Sequence, residues 1–135
     1  MSRREVPFVA EDGRDKGKRF IIKEMDAWQG EEWAFRLFLA LARSGVELPE
    51  DFQTLGMEGV ASLALSALSG LSFELAKPLL DDMMACVLFD PDPKNMHARR
   101  TLIADDTEEV ITRLKLRREV WKLHVDFFTA AARSA

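Results

Sequence analysis

Cys86, His97 and His124 are the side chains in this sequence best suited to bind a metal or activate a nucleophile. A zinc site takes about four ligands at motif spacing. The chain has no Cys-x-x-Cys and no His pair, and Asp90 and Asp92 join the set only on paper. A lone Cys86 reads better as a buried, inert thiol. His124, beside Val125 at the aromatic end of the last helix, reads as a partly buried core histidine rather than a base. Asp81-Asp82 and Asp105-Asp106 are acidic pairs, but adjacent helical residues point about 100° apart and cannot form a facing dyad. The glycines form no Gly-x-x-x-x-Gly-Lys, Gly-x-Gly-x-x-Gly or Gly-x-Ser-x-Gly. The expectation is no catalytic residue, no metal site, no cofactor and no enzyme.

Two further groups suggest binding. Met83 and Met84 follow Leu79 and Leu80 at helical spacing, which suits an adaptable groove but more commonly a core. His97-Ala98-Arg99-Arg100 and a basic last helix raise nucleic-acid binding. Against that stand 23 acidic residues to 19 Lys and Arg, a net charge of −4, and apolar residues interleaved on the basic helix.

The charge is uneven along the chain. Residues 1–19 sum to +2, 20–46 to −1, 47–109 to −9 and 110–135 to +4. An acidic centre and a basic last helix can steer association. With 135 residues, 47% hydrophobic and 31% charged, one globular domain is expected, and wholesale disorder is excluded. One cysteine precludes an internal disulfide framework. Arg3 and Arg4 are followed by no apolar run, unlike a signal peptide. The longest uncharged apolar-rich stretch, residues 59–71, is too short to span a bilayer.

The elements that must position these groups read as mainly α. The expected architecture is a small helical domain over 18–135, with a flexible N-terminal arm over 1–17. It has a short N-terminal strand over 18–25 and a β-hairpin from 85–89 and 100–103, which the strand can join. Asp26 is a candidate N-cap for a helix over 27–43, which Gly45 stops. That helix is apolar almost all round between Ala34 and Ala42, so it is expected to be central or contacted from both sides. A short turn at 49–52 and a small-residue helix over 57–68 follow. Ser72 caps a short turn over 73–77, and Pro78 is expected to open the next helix at its first position. A long C-terminal helix, from about 107 to about 131, is expected to be capped by Asp105 or Asp106.

That last helix carries two apolar stripes. Ile111, Leu114, Trp121, Val125 and Phe128 lie on one side, interrupted by Arg118, at heptad-like spacing. Leu116, Val120, Leu123 and Phe127 lie roughly opposite. A monomer's surface helix needs only one apolar face, so this helix is either central in a small bundle or shares one stripe with a partner or a second copy. Arg113 and Arg117 lie on the same helix and suit an acidic or apolar client. The candidate interface residues are Leu116, Val120, Leu123, Phe127, Ile111, Leu114, Trp121, Arg113 and Arg117.

Taken together, the segments Gly17-Lys18-Arg19-Phe20-Ile21-Ile22-Lys23-Glu24-Met25, Glu32-Trp33-Ala34, Leu39 to Val46, Pro78 to Val87, Asp105 to Val110, Thr112 to Arg117 and Leu123-His124-Val125 resemble the tail assembly chaperones of long-tailed bacteriophages. The resemblance covers about residues 17–128 and is one of overall pattern. It implies a small, non-catalytic helical protein of the host cytoplasm, absent from the mature virion. Its partners would be the apolar helical tape-measure protein and the tail-tube protein, and it would form homo-oligomers. Neither nucleic acid nor membrane is expected as a partner. The alternatives are a phage structural or head–tail connector protein and, third, a small DNA-binding regulator.

Overall fold

A computed structural model describes residues 3–43, 45 and 70–134 of the chain. The expected turn at 49–52 and helix at 57–68 lie outside the described residues. So do the side chains of Val125, Phe127 and Phe128.

Among the described residues, four short strands form one antiparallel sheet in the order β1-β2-β3-β4: β1 Glu5–Val9, β2 Arg19–Lys23, β3 Val87–Phe89 and β4 Arg100–Thr101. The described helices are α1 Ala27–Arg43, α2 Phe73–Met84 and α3 Val110–Ser134. The mainly α reading is therefore corrected to helices packed on an antiparallel sheet. The expected strand and hairpin both form, but the described part of the expected arm, residues 3–17, is not loose. Val6 pairs with Ile22 and Phe8 with Phe20, which makes β1 a full sheet strand. The alternation of Val6 and Phe8 with polar or exposed neighbours is a strand period only five residues long. A partner is needed to reveal it.

The sheet's helix-facing side carries Phe20, Ile22 and Val87, all buried, with Val6, Phe8 and Phe89 at its margin. The Phe20 ring meets Phe89 edge-on at 5.6 Å. From the helices come Trp33 and Leu37 of α1, Leu79 and Met83 of α2, and Leu116, Val120, Trp121 and Leu123 of α3. Trp33 and Trp121 pack with ring centroids 5.6 Å apart, and Trp33 Nε1–H donates to the Leu79 carbonyl at 3.1 Å. Met83 and Met84 are core.

The opposite sheet face is closed by charge. Ile21 points there and is still buried. Arg99 contacts Glu5 at 3.1 Å and Asp90 at 3.8 Å. Asp90 sits in the row of Arg19 and Glu5 in the row of Lys23, so a side chain touching both crosses the Ile21 row between them.

The helix ends follow local chemistry. Asp26 Oδ1 accepts the Gln29 N–H at 2.8 Å, as its cap position predicts. Gly45 adopts φ +74° just beyond α1, a left-handed stop. Ser72 Oγ accepts from the Leu75 N–H at 3.4 Å. With that cap in place α2 runs unbroken from Phe73, and Pro78 lies inside it rather than opening a second helix. Only the one amide bond that Pro78 cannot donate is lost.

Candidate partner-binding surface

The start of α3 is fixed by the loop between β1 and β2. Residues Gly13–Asp15 make a single 3-10 turn there. Asp15 is fully buried and accepts the main-chain N–H of Glu108 at 2.8 Å and of Glu109 at 2.9 Å. Lys18 Nζ donates to Asp15 Oδ1 at 3.0 Å. Burial by itself raises the pKa of Asp15. Hydrogen bonds from the Thr112 hydroxyl, the two amides and Lys18 outweigh it and hold the carboxyl well below the usual carboxylate range. Arg14 adds an ion pair to Glu109 and a bond to the Glu108 carbonyl, both at 2.8 Å. Gly13, at φ +69°, leaves room for this: a Cβ there would press on the Glu109 side chain at 3.3 Å.

The cap of the last helix is therefore corrected. Asp105 and Asp106 lie in a separate 3-10 turn, Ala104–Asp106. The Asp106 carboxylate takes a bidentate bond from Arg100, both contacts at 2.8 Å, and the Ile103 N–H. A carboxylate 93 residues earlier in the chain caps α3 instead.

Anchored this way, α3 turns a definite face to the core. Leu116 is 0% exposed, and Val120, Trp121 and Leu123 are buried with it. These four candidate interface residues are corrected to core: the sheet and α2 occupy the face that the sequence left open to a partner. Phe127 lies among the side chains outside the description. His124 is buried beside them. Its Nε2 accepts the Met25 N–H at 2.8 Å, which assigns the Nδ1–H tautomer donating to the Val120 carbonyl at 2.8 Å. Burial depresses its pKa. It is a cross-brace between the segment after β2 and α3.

The remaining candidates stay at the surface. Ile111 is 51% exposed and Leu114 53%, with Val110 and Ile103 also exposed nearby in sequence. At about 100° per residue, Val110, Leu114, Arg118 and Ile111 share one arc of α3, bordered by Arg117 and Arg113. Arg113 donates to the Thr107 hydroxyl at 3.3 Å. Arg117 Nε is buried with no hydrogen-bond partner among the described residues. Burial and the neighbouring Arg113 lower its pKa, against the pull of Asp81. The single expected stripe thus divides: Trp121 goes inward against Trp33, while Ile111 and Leu114 form an apolar patch flanked by three arginines.

A second surface was legible only in part. Trp28 is 82% exposed, Phe35 61% and Leu39 64%. The spacing of seven and four puts them on one side of α1, opposite buried Trp33 and Leu37. The sequence shows α1 as apolar all round, but only its packing shows which side is covered.

His97 is exposed in the 3-10 turn Met96–Ala98, while Cys86, His124, Asp81 and Asp82 are buried or paired. Cys86 is buried, its thiol pushed up to about 11 by burial and then by Asp82. Asp81 pairs with Lys77 at 2.7 Å and Asp82 with Arg36 at 3.5 Å. Among the described residues no group of three or more His, Cys, Asp and Glu is placed to hold a metal, and no helix is long and apolar enough to cross a membrane. No family model, curated protein or solved structure matches the chain.

Proposed function

We propose that this protein is a tail assembly chaperone of a long-tailed bacteriophage. In this reading it is non-catalytic, acts in the host cytoplasm, binds the apolar helical tape-measure protein, and leaves before the tail is finished. The tail-tube protein is its second partner, and it self-associates. The resemblance over residues 17–128 supports the reading. The structural observation that carries it is the exposure of Ile111 and Leu114 beside Arg113, Arg117 and Arg118, on a helix whose other face is already filled by the core. An apolar helical client of the opposite charge would bury the two side chains and pair with the arginines.

The test is co-expression with the tape-measure protein of the same phage. The chaperone should keep that client soluble and co-purify with it. Ile111→Glu with Leu114→Glu should abolish recovery of the client while leaving the circular dichroism and melting of the chaperone unchanged. Failure of the wild type to retain the client sinks the proposal. Detection of the chain in purified virions by mass spectrometry would favour a structural or connector protein instead.

A further inference from the structure

We propose that the outward side of α1 is a homodimer interface, on which a second copy of this chain packs its own α1 antiparallel about a twofold axis through Phe35. The interface rests on the self-association in that reading and names its surface, which is separate from the Ile111 and Leu114 patch offered to the client. Trp28, Phe35, Leu39 and Ala42 fall within about 60° of one another on the helix, at 100° per residue, and all four are exposed. A side chain as large as Trp28, four-fifths exposed within such a stripe, marks an interface.

Charge selects the occupant and the orientation. Glu32 and Arg36 lie on the same flank of the stripe and pair at 2.7 Å within one chain. A twofold axis perpendicular to the helices brings that flank against itself with its direction reversed. Glu32 of one copy then stands within about one helical turn of Arg36 of the other, and two acids and two bases alternate. A parallel arrangement would carry that flank to opposite sides of the pair, so that Glu32 and Arg36 of one copy would not meet those of the other. The antiparallel register also places the large Trp28 of one copy over the small Ala42 of the other, so bulk meets space. The chain's own symmetric pair of opposite charges thus complements a second copy.

Sedimentation equilibrium of the full chain tests the state, and cysteine cross-linking tests the geometry. Wild type should sediment as a dimer. Phe35→Glu should raise the dimer dissociation constant at least tenfold (about 1.4 kcal/mol) with an unchanged circular dichroism spectrum. Under mild oxidation Phe35→Cys should form a disulfide-linked dimer, because that position faces its own copy. Trp28→Cys alone should cross-link weakly, and a mixture of Trp28→Cys with Ala42→Cys should cross-link strongly. Wild type serves as the control, since its Cys86 is buried. A monomeric wild type at its highest soluble concentration overturns the proposal. So does a dimer that Phe35→Glu leaves intact, or one in which Trp28→Cys links to itself as readily as Phe35→Cys does.

Discussion

The carboxylate of Asp15 accepts the main-chain N–H of Glu108 at 2.8 Å, joining the first loop of the chain to the start of its last helix. A helix N-terminus leaves amides without intrahelical partners and carries a partial positive charge. Asp15 supplies what both require, from a fully buried position.

Replacing Asp15 should therefore cost more than a surface substitution. Asp15→Ala is expected to destabilise the protein by about 1–3 kcal/mol, read from the urea midpoint. Because the folded pKa lies below the ordinary 3.8, the stabilisation is fully present above that value and lost as pH falls below it. Asp15→Asn should flatten the acid limb of the stability profile. An unchanged acid limb would remove Asp15 from the account.

His124 has the same sign in a different window. Its folded pKa is depressed from 6.5, so its contribution is present above 6.5 and lost as pH falls through the folded value. Protonation would also abolish the bond Nε2 accepts from Met25. Glu24 favours the charged ring and Arg4 opposes it. Wild type should lose stability as pH falls from 6.5, and His124→Gln should lose less over the same range. NMR should report the Nδ1–H tautomer at neutral pH.

The two stripes of α3 should respond oppositely to truncation. Leu116→Ala should cost about 2–5 kcal/mol, because Leu116 lies in the core. Leu114→Ala should change stability by no more than about 0.5 kcal/mol. Guanidinium melts of the two variants decide this directly, and equal losses would reverse the assignment of faces.

Cys86 should be slow to react. Its thiol is buried, with its pKa pushed up to about 11. Ellman's reagent at pH 8 should label it only slowly in the native protein and rapidly in denaturant. Fast native labelling would show that the end of α2 opens readily.

Much of the fold is readable locally. The limits of α1 follow from Asp26 and Gly45, and the β3–β4 hairpin follows from apolar runs flanking Pro91 and Pro93. These signals lie within a few residues of what they specify. β1 and the cap of α3 have no such signal. Residues 11–17 are charged and glycine-containing, as a solvated loop would be, yet Asp15 is buried there by partners more than ninety positions away. Trp28, Phe35 and Leu39 share a helical side in the sequence, but nothing local marks that side as the exposed one.

The sequence by itself determined that no motif for catalysis or metal binding is present, where α1 begins and ends, and that α3 has two apolar stripes. Periodicity, capping and motif spacing are short-range properties of the chain. Only the tertiary structure decided that Leu116, Val120 and Leu123 are core and that Ile111 and Leu114 are surface. It also decided that Asp15 rather than Asp105 or Asp106 caps α3. The physical reason is that an apolar stripe commits a helix to burial without naming what covers it. The covering sheet is completed by pairing residues 5–9 with 19–23, which no local pattern announces.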